Sequence, residues 1–424
     1  MVSRRRRLAW LAGGALLLPV AAHATAVDEM FTRTTLLLIA MITLADWCGF
    51  LFERIGLPEL VGEIFAGILL GNLALVGIDW NVSELLRSSE FMRYSSELAM
   101  VLLLFLVGLE SDMRDLLRVG PNATKVAVVG VALPLFFGLF TWKALGLDSG
   151  IEGWFVGAML AATSVGITAG VLGAAGRISS ASAKVILGAA VIDDVLGVLL
   201  LAVLASVVVT GSFSGAGLAL IIFKALAFFV VTVFVGQRLM PHIIRITSLN
   251  SNASFWTGFA LCMALVAAQL ASFAGLAPLI GAFVAGLLLD DVHFVVGAEL
   301  QKKRLEELLQ PITNIMLTIF FVGIGSQVQL ETLMDAQSLM VIGILFVIAV
   351  VSKGLAGFAV TGSGFDRLGI GIGMVPRGEV GLVFASFAYG HEIFCCETYS
   401  SLVMVILLTT LAGPILLKPR LARF

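Results

Sequence analysis

Charge is what this 424-residue chain has little of: 13% of it is Asp, Glu, Lys or Arg, where an ordinary soluble domain has about 25%. The mean hydropathy is +1.07, so the chain reads as a membrane protein before any motif is considered. A net charge of −2 leaves no basic surface for a nucleic acid. Cysteine is scarce too. Cys48, Cys262, Cys395 and Cys396 form no CxxC pair and imply no disulfide framework. The four histidines are scattered and offer no metal site, and there is no HExxH, no P-loop and no Ser/His/Asp set. Those absences argue against a membrane enzyme. The lack of a carbonyl-ring filter or a charged ring argues against a channel. No long polar segment interrupts the chain and nothing like a nucleotide-binding module follows residue 417, so one membrane domain is expected.

Long apolar runs are what the sequence has in abundance. Residues 1–26 read as a signal peptide or an uncleaved N-terminal anchor: Arg4 to Arg7, an apolar stretch from Leu8 to Ala22, then Ala22-His23-Ala24 as a cleavage site. Residues 27–424 form the membrane domain. Thirteen apolar spans follow, near 34–52, 58–76, 94–110, 122–142, 151–175, 182–210, 214–237, 254–273, 276–290, 307–325, 338–361, 367–389 and 398–417, judged against the roughly 20 residues a helix needs to cross. With the mature N-terminus outside, fifteen Lys and Arg fall in inside loops and four outside, which fits the positive-inside rule and puts the C-terminus in the cytoplasm. The chain also echoes itself. Val61 to Gly71 in span 2 resembles Ile280 to Asp290 in span 9, and Phe105 to Glu110 in span 3 resembles Phe320 to Gly325 in span 10. Each pair lies seven spans apart, an odd number, so matching helices cross in opposite directions. Spans 1–6 and 8–13 are expected to be two inverted-topology repeats joined by span 7.

Carboxylates inside an apolar run are the next signal. Asp193 and Asp194 sit half-way along span 6, where each costs on the order of 3 kcal/mol even on the mildest scale. Adjacent helical residues point about 100° apart, so the two cannot share one partner. One is expected to pair with Lys353 in span 11 and the other to face a cavity, where a cation and a proton would compete for it. Spans 5 and 12, each the fifth of its repeat, look interrupted: Ala162-Thr163-Ser164-Val165-Gly166-Ile167-Thr168 in one, and Val375-Pro376-Arg377-Gly378-Glu379 in the other. Unwound backbone must face protein or water, and its carbonyls and the hydroxyls of Thr163, Ser164 and Thr168 can coordinate a cation. The competing reading for span 5 is plain small-residue helix packing. Arg377 and Glu379 read either as an ion pair tying the interrupted helix down or as ion-site residues. Glu63 in span 2 and Lys224 in span 7 read as packing or interface charges.

Taken together, FLVGLE at 105–110, ATSVGITAGVL at 162–172, ILGAAVIDDVLG at 186–197, Lys353 and PRGEVGLV at 376–383 resemble the monovalent cation/proton antiporters of the second cation/proton antiporter family, in particular bacterial NapA-type sodium/proton antiporters. The resemblance covers nearly the whole chain after residue 30. It implies an all-α polytopic antiporter fold working as an elevator, in which spans 1–3 and 8–10 form a dimerisation scaffold and spans 4–6 and 11–13 a mobile ion-transporting core. It further implies a homodimer in the inner membrane with no resident cofactor. By the same resemblance, Asp194 carries the transported monovalent cation or the proton, Asp193 pairs with Lys353, and Thr163 lies at the crossing of the broken helices, supported by Ser164, Gly166, Pro376, Arg377 and Glu379. The two-aspartate form with lysine is similar to electrogenic members, which favours sodium or lithium as cargo. A potassium/proton antiporter of the potassium-efflux type is the alternative, with a cation channel behind it.

Overall fold

The computed structural model describes residues 26–73, 90–110, 120–147, 150–210, 215–247, 253–289 and 305–423. The leader segment, apart from Ala26, and Asp290 of the second echo lie outside these residues. Among them all regular structure is helical, with no strand. The helices are α1 (Ala26–Arg54), α2 (Glu59–Gly71), α3 (Glu90–Glu110), α4 (Pro121–Ala144), α5 (Glu152–Ala161), α6 (Val165–Ala174), α7 (Ala181–Thr210) and α8 (Gly215–Thr247). After them come α9 (Ala253–Phe273), α10 (Pro278–Leu288), α11 (Leu305–Gln327), α12 (Leu330–Leu333), α13 (Ala336–Ala356), α14 (Arg367–Gly373), α15 (Glu379–Gly390) and α16 (Cys396–Leu417). A 3-10 turn, Lys418–Arg423, ends the described chain.

Each of the thirteen expected spans falls on one of these helices, or on a pair for the fifth (α5 with α6) and the twelfth (α14 with α15). Nine segments among the described residues are long and apolar enough to cross a bilayer, the fifth span counting as one segment, Glu152–Gly173. The second, ninth and twelfth spans contain the shorter helices Glu59–Gly71, Pro278–Leu288 and Glu379–Gly390, and the seventh falls on the 33-residue α8. Outward faces are apolar, as lipid requires: Phe136 and Phe140 on α4 and Val230, Val231 and Phe234 on α8 are exposed. Local chemistry sets several helix starts. Pro121 and Pro278 sit in the first turns of α4 and α10, where the missing N–H costs nothing. The Ser180 hydroxyl accepts the Ala183 N–H at the start of α7, and the Asp335 carboxylate accepts that of Gln337 at the start of α13.

The described helices fall into two compact units, one comprising residues up to Arg93 with Thr318–Gln327, the other Tyr94–Leu317 with Val328 onward. Both are built on close backbone contacts at glycine. In the first unit, a Cβ on Gly62 of α2 would stand 2.6 Å from the Cys48 carbonyl of α1. In the second, one on Gly281 of α10 would strike the Ala267 carbonyl of α9. Gly62 and Cys48 lie the same distance ahead of Gly281 and Ala267 in the chain, so the echoed sequences make the same contact. The second unit holds another such pair. Gly157 of α5 rests on the Leu135 carbonyl of α4, and Gly371 of α14 on the Gly354 carbonyl of α13. Small residues at these crossings let helices approach where no hydrophobic effect drives them together.

Beneath the interrupted helices of the second unit lies a core of Val126 and Ala127 from α4, Ile186, Ala189 and Ala190 from α7, and Ile370 with Met374 from α14 and just beyond it. It fixes α7, with its two aspartates, against the interrupted twelfth span.

Candidate functional site

Both interruptions are real, and they meet. α5 ends at Ala161, Ala162 turns to ψ 140°, and α6 begins only after Ser164, itself extended with ψ 114°. In the twelfth span α14 ends at Gly373 and α15 begins at Glu379, with Pro376 between them. Proline removes an N–H and biases the residue before it away from helix, which is why the chain opens there. The open segments bind each other as a strand pair would, the Ser164 N–H donating to the Pro376 carbonyl at 2.9 Å. The Thr168 hydroxyl donates to the Gly373 carbonyl at 2.7 Å and the Thr163 hydroxyl to that of Met374 at 3.4 Å. Backbone groups freed by unwinding are thus taken up by the facing segment, as burial requires.

Four half-helix ends converge on this crossing, two with partial negative charge (α5, α14) and two with partial positive charge (α6, α15). Arg377 addresses the negative end of α5: its Nη1 donates to the Ala162 carbonyl at 2.5 Å and to that of Ala161 at 3.4 Å, and its side chain is fully buried. Glu379 stands in the first turn of α15, where a carboxylate suits the positive end, with the Ser164 hydroxyl near it. No ion pair joins Arg377 to Glu379 among the described residues, so the ion-pair alternative for these two is corrected. Each meets the opposite charge of a helix end instead. The small-residue reading of α6 is corrected as well: a Cβ on Gly166, Gly170 or Gly173 would meet nothing within 4 Å. Among the described residues these glycines leave space beside the crossing and seat no other helix.

Asp193 is 2% exposed, half-way along α7. Lys353 of α13, with no exposed surface, donates from Nζ to its Oδ2 at 3.0 Å and its Oδ1 at 3.3 Å. The ammonium lies against Gly130 of α4, where a Cβ would come to 3.4 Å. Asp194, the next residue, turns to a partly exposed face of the helix, and both it and Arg377 are close enough for their charge to act on Lys353. Three carboxylates (Asp193, Asp194, Glu379) therefore share this region with two cations (Lys353, Arg377). One negative charge is in excess, which suits a single monovalent cation or a single proton.

Thr410 was not singled out in the sequence, although its hydroxyl donates to the Arg377 carbonyl at 2.5 Å. The signal for it is Thr409-Thr410 in the otherwise apolar stretch 402–417 of α16. Within the first unit Glu63 accepts a hydrogen bond from Thr318 at 2.7 Å, and Lys224 is exposed on α8.

Comparison with known proteins identifies the family of the chain. Residues 37–423 match the family of transmembrane sodium/hydrogen exchangers, a family of transporters rather than of catalysts. The chain is 33% identical over 393 residues to the high-affinity Na+/H+ antiporter NhaS3 of Synechocystis, covering 85% of this chain and 84% of that one. It is 30% identical to the Na+/H+-K+ antiporter GerN of Bacillus cereus, covering 92% and 96%. Among solved structures it is similar to the sodium proton antiporter MjNhaP1 of Methanocaldococcus jannaschii, with a TM-score of 0.69 at 18% identity over 93% of this chain and 98% of that one. With a match running from the first membrane helix to the last turn, the chain belongs to the transmembrane sodium/hydrogen exchanger family.

Proposed function

We propose that this protein exchanges a monovalent cation, sodium or lithium, for protons across the inner membrane by alternating access. The observation that carries the reading is the buried Asp193–Lys353 pair beside Asp194, next to two crossed interrupted helices. Asp194 holds either the cation or a proton. Protonation removes the charge that binds the cation, and a bound cation excludes the proton, so exchange needs no other coupling device. Thr163, Ser164 and the opened backbone complete the cation's shell, which oxygen ligands suit.

Stoichiometry follows from the local charge. With five ionised groups the region carries one excess negative charge, and one cation or one proton on Asp194 cancels it. One-for-one exchange would move no net charge. Electrogenic exchange, which we favour, requires a second proton, and the Lys353–Asp193 pair is the place for it: Lys353 gives up its proton as the cation loads. Such a cycle is driven by the membrane potential with about 2.3 kcal/mol per charge per 100 mV.

The repeated glycine contacts support two inverted repeats. In this reading spans 4–6 and 11–13 move as the ion-carrying core, spans 1–3 and 8–10 form the scaffold of a homodimer, and the mature N-terminus lies outside with the C-terminus in the cytoplasm. Potassium is the alternative cargo, favoured by the likeness to GerN, a relative named for both cations.

The test is cation-evoked dequenching of a pH-gradient dye in everted vesicles. Adding Na+, Li+ or K+ dissipates the gradient and ranks the cations, and Asp194→Asn removes the response. A correctly folded protein that answers to none of the three sinks the antiport reading.

A further inference from the structure

The interrupted twelfth span is gripped by one neighbour at its break and ahead of its first half. In the break, the Thr410 hydroxyl of α16 holds the Arg377 carbonyl, and Gly413 leaves the space that the Pro376 ring fills. Before the break, the chain that continues from α16 reaches Asp366, the residue immediately preceding α14. Arg420 donates from Nε to Asp366 Oδ2 at 3.0 Å and from Nη2 to Oδ1. The Asp366 side chain is only 6% exposed. Its N–H also donates to the Ser182 hydroxyl at 3.2 Å, and Ser182 lies in the first turn of α7, the helix of Asp193 and Asp194. Asp366 thus joins the terminal turn, the first half of the interrupted helix and the aspartate helix.

α14 is seven residues long, about 10 Å, and its far end presents the Gly373 and Met374 carbonyls that accept Thr168 and Thr163. Against α13 it lies by backbone contact of Gly371 on Gly354, with Gly357 just past that helix resting on Arg367 and Gly371. Such flat contacts fix axial position less firmly than interlocked side chains do. Its register is therefore set by Ile370, packed in the core with α4 and α7, and by its two ends, at one by the threonines of α6 and the break, at the other by Asp366.

We propose that Arg420 is a positioning residue of the ion site, its two-pronged bond to Asp366 holding α14 in register so that the crossing keeps its geometry. The proposal rests on reading that crossing as the ion site. Arginine suits the task because its planar fork fixes direction as well as charge, which lysine cannot do. The pair is partly exposed and contributes little to stability by itself. Its effect is on alignment, where a displacement of about 1 Å is costly.

The experiment measures KM and Vmax for Na+ in everted vesicles, together with hydrogen–deuterium exchange over residues 367–378 in the purified full-length protein. Wild type is compared with Arg420→Ala, Arg420→Lys, Asp366→Asn and the Arg420→Ala/Asp366→Asn double variant. Arg420→Ala is expected to raise KM about three- to tenfold, the span of a modest coupling energy, with a smaller fall in Vmax. Arg420→Lys falls between it and wild type, the double variant is no worse than the more damaged single, and exchange over 367–378 quickens in Arg420→Ala. Wild-type KM and exchange in Arg420→Ala overturn the proposal, as does a loss of Vmax at unchanged KM, which marks a purely structural role. Quickened exchange in a protein whose wild type answers to no cation would support the brace while sinking the antiport reading.

Discussion

Lys353→Met is the change that puts most of the proposed mechanism at stake. The Lys353 ammonium touches both oxygens of Asp193, at 3.0 and 3.3 Å, and neither side chain reaches solvent. At 3.0 Å and an effective dielectric of about 20 the attraction is roughly 5 kcal/mol. Removing one partner of a buried pair costs about 3–5 kcal/mol, because the other charge is left stranded. Methionine keeps the apolar stem and deletes only the charge, so Lys353→Met strands Asp193. Asp193→Asn strands the ammonium, and the double variant strands neither. Thermal unfolding in detergent is expected to show each single variant melting several degrees below wild type and the double melting above the worse of the two. Losses that simply add in the double variant would mean that the two charges are uncoupled and that their proximity carries no energy. Transport gives the second half of the test. If the pair carries the second proton, all three variants lose the response of exchange to an imposed potential while one-for-one exchange at Asp194 persists. A double variant that still moves net charge refutes the assignment of that proton to Lys353.

Asp194→Asn is expected to abolish cation-evoked dequenching while melting within about 0.5 kcal/mol of wild type, the usual bound away from a tight core, since its face of α7 is partly exposed; a marked loss of stability would give it a structural role instead. Gly371→Ala drives a Cβ into the Gly354 carbonyl and is expected to cost at least about 1–3 kcal/mol, whereas Gly166→Ala, with open space around it, is expected to melt as wild type does; the same pair of melts checks both. Arg377→Ala leaves the Ala161 and Ala162 carbonyls without their donor and is expected to cost about 1.5–3 kcal/mol, the worth of hydrogen bonds to a charged group, read as a lowered melting temperature that Arg377→Lys recovers only in part.

Much of this arrangement was legible because it is written in side chains whose environment betrays them. Asp193, Asp194 and Lys353 stand out in apolar runs, and the cost of burying charge demands that they find one another. The breaks at Ala162 and Pro376 were legible for a similar reason, since glycine and proline in a membrane helix mark the places where its ladder opens. The partner of Arg377 was not. A guanidinium among carboxylates invites an ion pair with Glu379, yet it bonds main-chain carbonyls of α5, and every residue has a carbonyl. Only the fold says which one is left unpaired. Asp366 and Arg420 escaped for another reason: at the end of a span, charges are expected to be solvated, and nothing in their spacing of more than fifty residues announces a fork. The short α2 and α10 and the divided twelfth span were hidden because composition counts apolar residues and does not show where a helix stops.

The proposed repeat explains why such a symmetrical frame has an asymmetric site. Gly62 on Cys48 and Gly281 on Ala267 are one contact made twice, as are Gly157 on Leu135 and Gly371 on Gly354. Alternating access by inverted repeats needs this, because two halves that can each adopt the other's conformation give two states of similar energy facing opposite sides. The charges do not follow the frame. α7 carries Asp193 and Asp194 where its counterpart α16 carries, about as far along, Thr409 and Thr410, whose hydroxyls bond backbone carbonyls. The fifth span carries Thr163 and Ser164 at its break where the twelfth carries Arg377 and Glu379 at its own. Were the two aspartates duplicated as the glycines are, five carboxylates would face two cations, an excess of three negative charges. Confining the aspartates to one proposed repeat, with Lys353, Arg377 and Glu379 supplied by the other, leaves one excess charge. In that reading the Lys353–Asp193 bond is a bond between repeats, and it would tie loading of the proposed ion site to the packing of one half of the core against the other.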